Sequence, residues 1–434
     1  MSFRASTNRR PFGMAAVAAF GSLALVITAG IVLSGTPDER TGSAALGVIE
    51  TYSSEPTEAW TLDETSLPGA GGNGSISVTA TDGTDWLVAY SAGIKRSFML
   101  IDSRSGRPQW DAPINAGFGD CSINDQRQIG CAVRLRISGP ENGFYLADRD
   151  SGDLTRTADG GETATVLGLG PNFVHVNQSG YQVSMRSAAG KTLWSRTFAG
   201  AAKVRSARSA LIIETSDGAS FVVDPRTGSD RVACAQCTVD EFATGLTVTT
   251  TKSGSESVEF YPFTTSSVVE EPSGRADRAR VVRGPSTYPV IAPAGEGSSL
   301  AGAGRYEIID PGTGEALWNI ADPELSKANA RPCGTVISVA RKDRSRVFFT
   351  LSDGTRRGSM PPPALDQPDA NLDAATCLGA SDDVAVFANP NQLTAYDINT
   401  GQLRWTRTLL GTAEDVDGQI VLRQGSTLSK LGAN

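Results

Sequence analysis

The sequence predicts an all-β fold, a β-propeller of four-stranded blades, preceded by one N-terminal transmembrane helix. Three observations carry this. Beyond residue 58 the chain runs as short alternating or β-branched segments, broken about every ten residues by Gly, Asp, Asn or Ser, with no convincing amphipathic helix among them. One phrase recurs along that stretch at a near-constant period. At the other end, Met14 to Ser34 is a run of 21 residues without a charge.

At 434 residues the chain exceeds what one ordinary core supports, so it must split or repeat. Its 39% hydrophobic, 20% charged and 7% aromatic content excludes a wholly disordered, collagen-like or coiled-coil chain. A net charge of −8 argues against nucleic acid as a partner. The single histidine, His175, removes histidine clusters and most catalytic triads from consideration.

Residues 1–13 carry Arg4, Arg9 and Arg10 and read as a cytoplasmic leader to the apolar run. Residues 14–34 read as a signal anchor, long enough as a helix to span a bilayer core of about 30 Å. Asp38, Glu39 and Arg40 follow, so the positive-inside rule puts the N-terminus in the cytoplasm and the rest of the chain outside it. Cleavage and secretion are the alternative, since Arg9-Arg10-Pro11-Phe12 resembles part of a twin-arginine export motif and Val32-Leu33-Ser34 is a passable cleavage site. The retained anchor is preferred because the run exceeds the about 7–15 apolar residues usual in a signal peptide. Residues 35–58, polar and with Pro37 and Pro56, read as a linker, and 59–434 as the propeller.

Six cysteines outside the cytoplasm can pair. Their spacing suggests three local bridges, Cys121 with Cys131, Cys234 with Cys237 and Cys333 with Cys377, out of fifteen connectivities. Cys234-Ala-Gln-Cys237 has the spacing of a redox motif, but strand and turn signals flank it where that chemistry needs a helix N-terminus. A structural bridge or a reduced pair is the preferred reading.

The recurring phrase is a strand ending in Asp, a turn of four or five residues closing on Gly, and often a Trp four residues later. Clear copies run through Asp102, Gly106 and Trp110, through Asp310, Gly314 and Trp318, and through Asp397, Gly401 and Trp405. Weaker copies hold Asp148 and Gly152, Gly190 and Trp194, and Asp224 and Gly228, while Trp60 reads as the same position one unit earlier. The turn glycines are 46, 38, 38, 86 and 87 residues apart. The two doubled gaps imply a period near 42, with one copy overwritten near residue 270 and a degenerate one at Ser352-Asp353-Gly354. Each unit holds four strands, as TLWSRTF, KVRSA, ALIIET and ASFVVD show in succession. One such sheet cannot cover both its faces, whereas radial stacking buries each on its neighbours. In this arrangement the Gly supplies a positive φ, the Asp bonds the turn backbone and the Trp packs between neighbouring sheets. Cys333 and Cys377, 44 residues apart, would then join adjacent blades and staple the irregular stretch 321–373 with its Pro361-Pro362-Pro363 loop.

The phrase resembles the repeat of the PQQ-binding-like, or quinoprotein-like, β-propellers, which reads roughly as a strand, A-x-D-x-x-T-G, then Trp. The resemblance spans about residues 60–434. It implies eight blades, with seven to nine compatible with the spacing, and a ring closed by N- and C-terminal strands sharing one blade. The family includes quinoprotein alcohol dehydrogenases and non-enzymatic scaffolds, among them a component of the outer-membrane β-barrel assembly machinery. The dehydrogenases carry adjacent cysteines against their cofactor, and no two cysteines are adjacent here. The resemblance therefore points to the scaffold branch, with no cofactor and no catalytic residue, and with an envelope protein, peptide or glycan as partner. A quinoprotein oxidoreductase, or another propeller enzyme, is the alternative.

Other motifs read as structural. Gly69-Ala70-Gly71-Gly72-Asn73-Gly74 has dinucleotide-loop spacing but precedes a strand, so it lacks the helix N-terminus a pyrophosphate needs. Asp148-Arg149-Asp150-Ser151-Gly152-Asp153 crowds carboxylates as a calcium loop would, yet coincides with the repeat's own turn. His175 sits in an apparent strand as a packed or rim residue. The basic stretches 275–283 and 341–346 read as a blade connection and a charged hairpin tip.

Overall fold

The structure, a computed structural model, describes residues 46–433 except 73, 135–139, 158–161, 253, 295–304, 323, 325–329, 363–371 and 373–374. The apolar run 14–34 and its flanks lie outside the described residues. Among those described, no helix is long and apolar enough to cross a membrane.

The described residues form nine four-stranded antiparallel sheets, and these are the blades of a propeller. Blades 1 to 8 occupy 77–117, 120–156, 163–197, 202–235, 237–277, 279–321, 331–360 and 376–408. Blade 9 takes three strands from 412–431 and its outermost strand, Glu58–Asp63, from the other end of the chain. Thr61 and Ser429 lie opposite each other in that last pairing, with their hydroxyls 2.8 Å apart. The ring is thus closed by a shared blade.

The count is nine, within the range the spacing allowed but one more than the eight that the resemblance implied. The Asp-turn-Gly phrase marks the junction of third and fourth strands, and two blades have no such junction. Blade 5 replaces it with a longer loop, 263–273, and in blade 9 the fourth strand is not continuous with the third. Those two blades are the ones the phrase does not mark.

Second strands lie deep in most blades. Trp86, Leu87 and Val88 in blade 1, and Leu211, Ile212 and Ile213 in blade 4, are wholly buried because both faces of the sheet are covered by neighbours. Apolar clusters occupy each junction in turn. One joins blades 9, 1 and 2 through Trp60, Trp86 and Cys121; others join blades 3 and 4, 4 and 5, 5 and 6, 6 and 7, 7 and 8, and 8 and 9. The junction of blades 2 and 3 keeps only Ala132, Phe144, Val166 and Phe173 in its buried cluster.

The polar stretch before the first strand is packed from Leu46 onward. Val48 pairs in parallel with Ala380 in the first strand of blade 8, and Glu50 N–H donates to the Gly418 carbonyl of blade 9 at 2.7 Å. Tyr52 is fully buried, and its hydroxyl accepts from Ile420 N–H at 2.9 Å. A single aromatic in a polar run is enough to pin it.

Candidate functional site

The repeat residues converge on the junctions between blades. At Asp102 the carboxylate accepts the N–H groups of Arg104 (3.0 Å) and Ser105 (2.8 Å), and Gly106 N–H donates to the Asp102 carbonyl at 2.8 Å. Those donors, Ser105 first, hold the Asp102 carboxyl below the usual range. Gly106 sits at φ +68, where a side chain would be strained, and a Cβ there would fall 2.6 Å from the Trp60 ring. Trp60 belongs to the blade before. The indole of one blade thus lies on the turn of the next.

The same contact recurs with the same acceptor, the carbonyl one residue after the Asp position. Trp60 Nε1–H donates to Ser103 O (3.0 Å), Trp110 to Arg149 O (2.8 Å), Trp194 to Pro225 O (2.7 Å) and Trp318 to Leu351 O (2.7 Å). The last of these turns contains the degenerate copy at Gly354. Trp405 faces blade 9, which has no such turn, and donates to Tyr52 O at 2.7 Å instead. Two junctions reach that carbonyl without an indole. Ser273 Oγ–H donates to Pro311 O (2.9 Å), with Gly314 closed against the Gly274 backbone. Gly358 N–H donates to Ile398 O (2.7 Å), with Gly401 against Ser359. Gly358 stands four residues after Gly354, the place a Trp holds in the clear copies.

Blade 3 departs from the pattern. Its turn is one residue shorter, Gly190 N–H donating to Ser187 O at 2.8 Å, and the preceding blade has Arg156 where the indole would be, ion-paired to Glu141 at 2.6 Å. Polar groups join these two blades instead. Asp120 accepts from Val166 N–H at 3.4 Å and Ser122 Oγ from Gly168 N–H at 3.0 Å.

All six cysteines are bonded, Cys121 to Cys131 across paired strands of blade 2, Cys234 to Cys237 where blade 4 passes into blade 5, and Cys333 to Cys377 between the first strands of blades 7 and 8. In the Asp148 turn the carboxylate is taken by its own backbone, from Asp150 and Ser151, and Arg149 bridges to Asp82 and Asp85. Among the described residues no three metal-ligating side chains converge. Gly71 N–H donates to Ser91 O at 2.8 Å, seating the glycine-rich loop on blade 1. Arg275 pairs with Glu259 and Asp277. In the 341–346 stretch Lys342 faces solvent as expected, but Arg346 is turned inward and is 1% exposed. His175 is buried in the second strand of blade 3.

Sequence reasoning singled out no catalytic carboxylate, yet three on first strands are perturbed. Burial pushes Asp120 up to about 6 against the pull of Arg96, and pushes Glu241 up to about 7 against Arg205. Asp240 is raised for the same reason. The legible signal was an acidic residue inside an otherwise apolar run, Asp120 before Cys-Ser-Ile and Asp240-Glu241 after Cys-Thr-Val. They lie in blades 2 and 5, and form no acid–base pair with each other.

No family model and no curated protein matches this chain. Among solved structures it is similar to BamB from Moraxella catarrhalis, at 13% identity and TM-score 0.42, covering 87% of this chain and 97% of that one. It is also similar to the computationally designed Ika8 protein, at 15% identity and TM-score 0.37, covering 73% of this chain and 95% of that one. Likeness at this level carries no functional argument, and the resemblance to the quinoprotein-like repeat rests on the phrase itself.

Proposed function

We propose that the chain is a membrane-tethered, extracytoplasmic propeller that binds or scaffolds an envelope partner, a protein, peptide or glycan, without catalysis of its own. The observation that carries this reading is the closed ring, in which junction after junction is fixed through the same backbone carbonyl. Such a ring is a stiff platform whose turns and loops are free to vary in sequence. Pairing of all six cysteines supports an oxidising compartment. The uncharged run 14–34 behind three arginines supports a single-pass anchor with the N-terminus in the cytoplasm.

In-cell crosslinking of the tagged full-length protein, read by mass spectrometry, tests the reading. Reproducible crosslinks gathered on one face of the ring to one envelope component are expected. A stoichiometric redox cofactor in place of any partner would overturn it. N-terminal sequencing of the mature protein separates anchor from secretion, since a start near Gly35 would mean that the run is removed.

A further inference from the structure

The face of blade 3 turned to blade 2 carries a cavity of about 200 Å³. Strand register explains its wall. Thr163 pairs with Asn177, His175 with Ser184, and Phe173 with Arg186, three successive rows on one face of the sheet. That face is turned to blade 2, whose Phe144 ring meets His175 at 4.4 Å. Rows two residues apart along a strand are about 7 Å apart. The wall therefore runs from Glu162 and Asn177 at one end, past His175 and Ser184, to Arg186 at the other.

His175 is 2% exposed. Its Nδ1 lies 3.1 Å from Thr163 Oγ1, while Nε2 is buried at the cavity with no hydrogen-bond partner. A buried polar nitrogen without a partner is an exception that calls for an occupant. Burial, then the charge of Arg186, pushes the imidazole down to about 3, so it is neutral and adds no charge to the wall. Among the described lining residues the charged side chains are Arg186 and Glu162. A lone anion would meet Glu162, and a lone cation would meet Arg186. A cavity of 150 Å³ holds benzene, so this one takes a molecule of roughly seven to ten non-hydrogen atoms.

We propose that the cavity binds a free amino acid, or a zwitterion of that kind, with its carboxylate toward Arg186 and His175 Nε2 and its ammonium toward Glu162 and Asn177. This proposal stands or falls independently of the tether.

His175 is the only histidine, so full-length protein labelled with 13C-histidine gives one imidazole signal that reports on the cavity. Titration with L-serine and L-glutamine is expected to shift that signal saturably, at least tenfold more tightly than N-acetyl-L-serine, which lacks the ammonium, or L-serinamide, which lacks the carboxylate. Arg186→Gln should abolish the shift. Glu162→Gln, at an exposed position, should weaken it at least tenfold with the fold intact, which keeps the test open if Arg186→Gln fails to fold. A signal unmoved by either amino acid, one moved equally by the blocked analogues, or one moved only by glucose would overturn the proposal.

Discussion

The junctions on either side of blade 7 hold one acceptor by opposite means. Before it, Trp318 lays an indole on Gly354 and donates to Leu351 O; after it, Gly358 brings bare backbone against Gly401 and donates to Ile398 O. What stays constant along the chain is a carbonyl one residue past the turn's first position, not the side chain that reaches it. A large aromatic at larger spacing and a glycine at contact distance are two ways to satisfy the same buried group. The junction of blades 2 and 3 has no indole and no bond to that carbonyl; Gly168 lies against the Ile123 backbone and donates to Ser122 Oγ, and it is there that polar side chains and a cavity are found.

Removing an indole should cost most. Trp110 is buried at 4% exposure, so Trp110→Ala is expected to lose about 3–5 kcal/mol in urea unfolding, because a cavity opens and Arg149 O is left without its donor. A loss near zero would mean that the indole is not what holds blades 1 and 2. Adding a single methyl on the other kind of junction should cost almost as much. The Cβ of Gly358→Ala would fall 2.2 Å from Gly401 N, where no side chain can move aside, and a loss of about 3 kcal/mol is expected. If this variant melts like the parent, the backbone contact is looser than described.

The comparison is sharpened by Trp318→Phe. Most of the ring is kept, but the N–H to Leu351 O is gone, and about 1–3 kcal/mol should be lost in the same assay. An unchanged midpoint would assign the docking to packing alone.

Smallest per step is a pH dependence confined to the third kind of junction, gentle over any one pH unit. His175 is held near 3 when folded and titrates near 6.5 when unfolded, so below 6.5 the unfolded chain takes a proton that the native one refuses. Stability then falls as pH drops from 6.5 toward 3, by roughly 1 kcal/mol per pH unit. Asp120, raised to about 6, works the other way, its native form binding the proton first as pH falls from about 6 toward 4. Urea unfolding across this range should show His175→Gln flattening the acid-side loss and Asp120→Asn deepening it. Identical profiles for all three proteins would remove the polar account of this junction.

The all-β ring, its period and its shared closing blade were legible because the turn chemistry is strict. An Asp that caps its own turn and a Gly at positive φ leave a mark that survives change elsewhere, even in the degenerate copy at Gly354. Blade 5 left only a doubled gap because loop 263–273 needs neither residue, and the count fell short because eight was taken from the resemblance while the spacing also allowed nine. Asp120 and Glu241 left only an acidic residue in an apolar run, and the cavity at His175 left no mark, for a different reason. Their environment is made by neighbouring blades, and a strand of alternating polar and apolar residues reads the same whether its polar face meets water or another sheet.

The closing pairing sets a delay on how the molecule is made. Thr61 must wait for Ser429, 368 positions later, before the ninth blade exists. At ordinary synthesis rates that is roughly 20–70 s during which the first strand has no sheet to join. Any product truncated before residue 412 is left with an open ring and an unpaired edge, the kind of surface that invites aggregation or proteolysis. Completion of the chain is thus inspected by its own first strand.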